Sequence, residues 1–177
     1  MVDIPVVSSS ETALLIASTV ARSFGFLTLD ETMAAYLRHL VVHYGFAERV
    51  NVVAALDPPI DEFELDRAFE GSPEFVERFS AQAEELIADG ADIIIPAEGV
   101  LNVALVRNNV KTVAGAPVLD SYGSLLTLAE SMVRLRRTSG LTVSRVGQFA
   151  KPPAEIVTGL RGIVGDIMSA PTNGGGR

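Results

Sequence analysis

The chain has 177 residues, of which 48% are hydrophobic, and it carries a net charge of −8 at pH 7. This length suits one domain or two small lobes, and the apolar fraction is sufficient for a buried core. The acidic balance argues against a nucleic-acid-binding surface, which would need a basic patch. Because the chain has no cysteine, disulfides, thiolate catalysis and cysteine-based metal sites are excluded.

No apolar run in the sequence approaches the roughly 20 residues of a membrane-spanning helix. The N-terminus also lacks the basic region and the apolar region that make up a secretory signal. We therefore expect a cytoplasmic protein with neither a membrane nor a nucleic acid as its partner.

Strand and helix signals alternate along the chain. In the first part, strands are predicted at residues 4–7, 24–29 and 51–56, and helices at residues 8–22 and 30–45. In the second part, helices are predicted at residues 74–89, 101–108, 124–136 and 155–168, and strands at residues 91–97 and 112–119. The acidic stretch at residues 60–72 is ambiguous. This alternation predicts βαβ units and a parallel sheet flanked by helices, which is the α/β fold class.

Two segments of the chain are similar in pattern. Residues 5–17 and residues 117–129 each contain an apolar run, a polar turn and an amphipathic helix. A predicted helix and strand precede the second segment, at residues 74–97, whereas only four residues precede the first. We therefore expect two similar lobes related by a pseudo-two-fold repeat, with the first lobe incomplete at its N-terminal side.

This repeat predicts how the chain is divided. Residues 1–50 are expected to be the remainder of the first α/β lobe, and residues 51–137 the second lobe. Residues 138–168 are predicted to be a return segment that packs on the first lobe. Residues 169–177, which include three consecutive glycines, are predicted to be a disordered tail.

Four polar turns follow predicted strands, at residues 8–11, 28–30, 97–99 and 120–123. Ligands of open parallel sheets bind at this position, where the turns lead into helix N-termini. The candidate substrate-binding residues are Ser8, Ser9, Ser10, Thr28, Gly99, Asp120 and Ser121. Plain helix capping explains serine and aspartate at these turns equally well, so both interpretations are open.

Glu98 is the candidate catalytic residue. It stands at the end of the most apolar predicted strand, where a carboxylate is costly unless it meets a helix N-terminus or a polar cavity. Its structural role would be that of an N-terminal partner for the following helix dipole. Its functional role would be that of a general acid or base in a cleft, since catalytic carboxylates combine partial burial with nearby charge.

Two further patterns give weak indications of metal binding. His39 and His43 have the spacing of two metal ligands on one helix, but neither the His-Glu-x-x-His pattern nor an obvious third ligand accompanies them. The acidic residues between Asp57 and Asp66 lack the glycine turn of a Ca²⁺ loop. We therefore expect no metal site.

Four motifs occur in an order that resembles a known family. They are IPVV at residues 4–7 with its serine turn, GFLT at 25–28, GADIIIP at 90–96 and GAPVLD at 115–120. Together they resemble the aspartate/glutamate/hydantoin racemase family, in particular its hydantoin racemase branch. The resemblance covers residues 3–153.

The resemblance implies two α/β lobes with an active site between them. It also implies two cysteines, one from each lobe, that remove and return the α-proton of the substrate without a cofactor or metal. This chain departs from that pattern, because Glu98 stands at the position matching the second cysteine and the segment that would carry the first is expected to precede Met1. A two-cysteine mechanism is therefore impossible in this chain.

Our leading hypothesis is a cofactor-independent racemase or isomerase acting at the α-carbon of a small amino-acid-derived or hydantoin-like substrate. Glu98 would be the base, and the partner would be a small carboxylate or cyclic imide. A non-catalytic small-anion-binding protein on the same scaffold and a C–C or C–N lyase are the alternatives. Two further possibilities are left open. The chain could be the product of a mis-assigned start codon, which would expose a sheet edge. It could also form a homo-oligomer.

Overall fold

The computed structural model describes residues 4–169, apart from the side chains of residues 62, 148 and 165–169. Two compact units can be distinguished. One is Val6–Arg134, and the other consists of the two ends of the chain, up to residue 5 and from residue 135 onward. The candidate site residues all belong to the first unit.

A parallel sheet with helices on both faces forms the unit Val6–Arg134, so the predicted α/β class is confirmed. Its helices are α1 (Ser9–Val20), α2 (Glu31–His43), α3 (Glu62–Phe69), α4 (Pro73–Ala88), α5 (Gly99–Arg107) and the greater part of α6 (Ser121–Ser139). Its strands are β1 (Phe24–Thr28), β2 (Val50–Ala55), β3 (Ile93–Pro96), β4 (Thr112–Val113) and β5 (Ala116–Pro117).

The three longer strands are parallel and lie in the order β2-β1-β3. On the outer side of β3, Val118 forms a parallel bridge with Ile94, and the backbone N–H of Leu119 donates to the carbonyl of Ile94. Both β1 and β3 are therefore paired on two sides and buried on two faces. That arrangement explains their continuous apolar sequences.

Alternate residues of these strands point to opposite faces of the sheet. Phe24, Phe26, Ile93 and Ile95 pack with α1 and α2, whereas Leu27 and Ile94 pack with α4 and α5. Gly25 lies against α4, where a Cβ atom would be 3.0 Å from a methyl carbon of Leu86, and the same atom would be 3.0 Å from the Cβ of Ala91 beyond the helix. The close packing of α4 on β1 therefore favours glycine at this position.

Two sequence predictions about strands are wrong. The strand predicted at residues 4–7 is irregular backbone, and Ile4 and Val6 are exposed, because no described strand pairs with this segment. The strand predicted at residues 112–119 is the hairpin of β4 and β5, followed by the bridge at Val118. Ala114 and Gly115 both have positive φ angles, which a tight two-residue hairpin turn requires.

The C-terminal unit contains the end of α6, a 3₁₀ turn at Gly147–Phe149 and helix α7 (Ala154–Ser169). This last helix agrees with the one predicted at residues 155–168. The predicted disordered tail lies outside the described residues, except for Ser169. The predicted two-lobe division, including a boundary at the start of β2, stays a prediction.

Among residues 4–169, no helix is both long enough and apolar enough to cross a membrane.

Candidate functional site

The candidate site lies at the carboxyl edge of the sheet in the unit Val6–Arg134. Strands β1 and β3 are neighbours in parallel register, with Leu27 paired to Pro96. The turn after β1 and the turn after β3 therefore emerge side by side. This juxtaposition brings Thr28 close to Glu98, two of the residues that the sequence singled out.

Glu98 is held by groups from the turn that follows β1. Its Oε1 atom accepts a short hydrogen bond from the hydroxyl of Thr28 and a second, 3.1 Å long, from the backbone N–H of Leu29. Thr28 is fully buried. The other carboxylate oxygen, Oε2, is also buried and has no hydrogen-bond partner among the described residues. One oxygen thus fixes the side chain, and the other is left for a further proton or ligand.

The surroundings of Glu98 act on its pKa in opposite directions. Burial removes water from the carboxylate and is the largest influence, raising the pKa of Glu98 above its ordinary value of 4.5. The hydrogen bonds from Thr28 and Leu29 lower it, and the nearby charge of Asp30 raises it again. The net shift is upward, which moves the group toward the range suited to acid–base work near neutral pH.

Glu98 also occupies the N-cap position of α5, but its side chain makes no capping hydrogen bond. The expected structural role of Glu98, as an N-terminal partner for the dipole of the following helix, does not require such a bond and stays a prediction. The first-turn N–H groups of α5 have no capping side chain, and they confer partial positive charge on this end of the helix. A small anionic group placed there would be stabilised.

Two of the candidate residues, Ser8 and Asp120, form helix caps, as does Asp30 at the end of the turn after β1. Ser8 accepts a hydrogen bond from the backbone N–H of Glu11 and caps α1, and Asp30 accepts from Met33 and caps α2. Asp120 accepts from the backbone N–H of Gly123 in the first turn of α6. These bonds show the capping role, so a role in substrate binding stays a prediction.

The remaining candidates differ in their distance from Glu98. Gly99 follows Glu98 directly, and the hydroxyl of Ser121 donates to the carbonyl of Pro96, which ends β3. Ser9 and Ser10 lie in the first turn of α1 and are half-buried. Within residues 4–169, no hydrogen bond connects Ser9 or Ser10 to the Glu98 carboxylate.

Two polar residues that the sequence analysis did not select lie beside this site. Asn102 is 1% exposed and joins α5 to the turn before α6, because its amide contacts the backbone of Leu119 and Tyr122. Tyr122 lies with its hydroxyl against Gly99. The turn at residues 120–123 was identified from the sequence, but neither side chain carries a local signal that predicts these tertiary contacts.

The weak metal patterns do not assemble into a site. His39 and His43 lie on the exposed side of α2, and the ring of His43 meets the ring of Tyr44 edge-on at 5.4 Å. In the part of the chain that the structure describes, no group of three or more histidine, aspartate or glutamate residues could hold a metal ion.

A separate polar depression of about 890 Å³ lies at the opposite, amino edge of the same sheet. Its lining includes Arg49, whose guanidinium donates to the carbonyls of Ala21 and Arg22 at the end of α1. Asp92 accepts hydrogen bonds from the backbone N–H groups of Arg22 and Ser23 there, and the Ser23 side chain together with these bonds lowers the pKa of Asp92. The charged groups of this depression serve as helix and strand caps, which is a structural role.

Comparisons with known proteins identify the family and the fold. The family model described as Asp/Glu/Hydantoin racemase matches residues 1–129. The hydantoin racemase of Rhizobium meliloti is 25% identical over 157 residues, which cover 88% of this chain and 60% of that protein.

Two solved structures share the fold. The allantoin racemase from Klebsiella pneumoniae superposes with a TM-score of 0.68 at 26% identity, over 86% of this chain and 58% of that one. The allantoin racemase from Pseudomonas fluorescens gives a TM-score of 0.69 at 25% identity, over 86% and 61% of the two chains. The present chain therefore spans about three fifths of the length of these relatives.

Proposed function

The chain belongs to the Asp/Glu/hydantoin racemase family, and we propose that it acts as a cofactor-independent racemase or epimerase at the α-carbon of a small substrate. The substrate class would be amino-acid-derived acids or hydantoin-like cyclic imides, since relatives are described as hydantoin and allantoin racemases. Glu98 would be the acid–base residue in place of a cysteine.

The free oxygen of Glu98 is the observation that carries this proposal. The carboxylate is fixed through Oε1 by Thr28 and Leu29, while Oε2 is buried and unpartnered. A base needs a defined direction and a lone pair that no other group occupies, and this arrangement provides both. In the ionised form, Oε2 accepts the α-proton, and the electron pair of the broken C–H bond moves toward the adjacent carbonyl.

The chain has no cysteine, so proton transfer at the substrate α-carbon must use another group. A carboxylate on one face of the substrate exchanges the α-hydrogen with solvent even when the proton returns to the same face. Exchange of hydrogen for deuterium is therefore a more direct readout of Glu98 than loss of optical rotation. Faster exchange than racemisation would indicate a single acid–base group.

We predict that Glu98→Gln reduces α-proton exchange by at least about 100-fold, because an amide cannot accept the proton, and general acid–base catalysis contributes about 10²- to 10⁴-fold. The measurement is ¹H NMR in D₂O with L-5-methylhydantoin and allantoin as probes. Glu84→Gln is the matched control, since Glu84 is an exposed residue of α4. Unchanged exchange by Glu98→Gln would remove Glu98 from the reaction.

A non-catalytic small-anion-binding protein is the second candidate function. The observation that favours it is the N-terminus of α5, whose N–H groups have no side-chain cap and are therefore available to an anion. This candidate predicts thermal stabilisation by hydantoin-like anions in the absence of any α-proton exchange. The two functions are thus separated by the same NMR experiment combined with a thermal-shift measurement.

A further inference from the structure

Tyr122 lies directly against the backbone of Gly99, the first residue of α5. A Cβ atom at Gly99 would overlap the hydroxyl oxygen and the neighbouring ring carbon of Tyr122, and would be 2.9 Å from a second ring carbon. The absence of a side chain at Gly99 is what allows this approach. The phenol group therefore lies at the residue immediately after Glu98.

Buried polar contacts hold the backbone of Tyr122 in this position. Its N–H donates to the side-chain oxygen of Asn102 at 3.1 Å, and Asn102 is almost fully buried. The preceding residue, Ser121, is 4% exposed and donates to the carbonyl of Pro96. Both contacts connect the start of α6 to the elements that carry Glu98, so the phenol is placed by the same framework as the carboxylate.

The hydroxyl of Tyr122 is available to a ligand. The residue is 41% exposed, and none of the groups in residues 4–169 forms a hydrogen bond with its Oη atom. A phenol can donate one hydrogen bond, and here that donor is next to the uncapped first turn of α5. Donors collected at one point, beside a base, favour an oxygen that becomes negatively charged.

Resting on the proposed function, we propose that the Tyr122 hydroxyl donates a hydrogen bond to the substrate carbonyl oxygen adjacent to the reacting carbon. When the Cα–H bond breaks, the proton passes to Glu98 Oε2 and the electron pair forms the Cα–C double bond. The carbonyl π electrons move to the oxygen, which becomes an enolate stabilised by Tyr122 and by the α5 N-terminus. Tyr122 keeps its own proton throughout.

This role fits the proposed substrates. Both a hydantoin-like ring and a small amino-acid-derived acid have a carbonyl oxygen on the carbon next to the Cα–H group. Glu98 and Gly99 are consecutive residues, so the proposed base is adjacent in the chain to the residue that the Tyr122 hydroxyl touches. Tyr122 would then be a catalytic residue, because its hydroxyl touches a reacting atom.

The test is Tyr122→Phe in the full chain, which removes the hydroxyl and retains the ring that packs on Gly99. Tyr36→Phe is the matched control, because Tyr36 is 56% exposed on α2. Exchange of L-5-methylhydantoin in D₂O gives kcat and KM, and calorimetry gives the affinity for 5,5-dimethylhydantoin, which has no α-proton. Equal thermal midpoints of the two variants would show that the fold is retained.

We expect kcat of Tyr122→Phe to fall about 100-fold, as for loss of one donor to a developing oxyanion, and KM to rise by about three- to tenfold. Binding of 5,5-dimethylhydantoin should weaken by about three- to tenfold, which corresponds to one neutral hydrogen bond. Tyr36→Phe should leave all three quantities unchanged.

A Tyr122→Phe variant with kcat within about threefold of the wild type would overturn the role of Tyr122 and leave the proposed function intact. A wild-type chain without exchange would instead overturn the proposed function. In that case the hydrogen bond from Tyr122 to the ligand carbonyl is supported if 5,5-dimethylhydantoin binds the wild type and Tyr122→Phe weakens that binding. The hydrogen bond is contradicted if both proteins bind the probe equally or neither binds it.

Discussion

At the scale of single residues, Glu98 combines two requirements that usually conflict. Its Oε1 atom is tied to Thr28 and Leu29, which orients the side chain and favours the ionised form. Burial of the carboxylate, with Oε2 left without a partner, favours the protonated form and has the larger effect. The resulting upward shift of the pKa carries a cost for stability, and that cost can be measured.

We predict that the wild type loses stability relative to Glu98→Gln as the pH rises. A raised pKa means that the native state binds this proton more tightly than the unfolded chain. The contribution of protonated Glu98 is therefore complete below pH 4.5, the ordinary value, and is lost as the pH rises through the folded-state pKa. The limiting slope is about 1.4 kcal/mol per pH unit.

Urea unfolding at a series of pH values between 4 and about 8 measures this difference. Subtracting the free energy of unfolding of Glu98→Gln from that of the wild type removes the contributions of Glu64 and Asp92. The pKa values of these two groups are lowered, so they act on stability in the opposite direction. Parallel curves for the wild type and Glu98→Gln would mean that the pKa of Glu98 is not raised.

At the scale of secondary-structure elements, the site depends on how closely α5 and the start of α6 approach. Gly99 begins α5, and the ring of Tyr122 fills the space that a side chain at Gly99 would occupy. Asn102 adds hydrogen bonds between the same two elements. This contact sets where the phenol lies relative to Glu98.

We predict that Gly99→Ala lowers the free energy of unfolding by about 1–3 kcal/mol, because its methyl group overlaps the Tyr122 side chain. In a Tyr122→Ala background the same change should be neutral or stabilising, since alanine is favoured over glycine in a helix. A double-mutant cycle by chemical denaturation gives the coupling, which should lie between about 0.5 and 3 kcal/mol. Strictly additive effects would contradict the contact.

The elements that the sequence predicted correctly are those with local causes. The serine and aspartate caps, the proline at the start of α4 and the glycine after it act within one helical turn, so their signals are readable in the chain. The hairpin of β4 and β5 was missed because residues 112–119 read as one apolar run. The irregular segment at residues 4–7 shows that an apolar run alone does not make a strand, because a strand also needs a partner.

The candidate site shows the same division between local and tertiary causes. Glu98 was identifiable because a carboxylate at the end of an apolar strand is costly wherever the strand is buried. Its partner Thr28 lies 70 residues away, and only the pairing of β1 with β3 brings the two together. Tyr122 and Asn102 were not predicted, since their roles arise from contacts between α5 and α6.

At the scale of the whole molecule, the chain is a member of a racemase family. It spans about three fifths of the length of the relatives it matches. The unit Val6–Arg134 contains Glu98, Thr28, Gly99 and Tyr122 together on one edge of a single parallel sheet. The proposed acid–base group and the proposed oxygen donor therefore belong to one compact unit. This placement is what allows the activity to be tested on the chain as it stands.

The pH dependence of α-proton exchange tests the central claim, that Glu98 is the base, most directly. For the wild type we predict that kcat/KM for exchange of L-5-methylhydantoin in D₂O is low in acid and rises with pH. The apparent pKa of this rise in kcat/KM should lie above 4.5, in the direction of the raised pKa of Glu98. The residual exchange of Glu98→Gln should not show the rise. A wild type without this rise, or a Glu98→Gln variant that retains it, would contradict the claim.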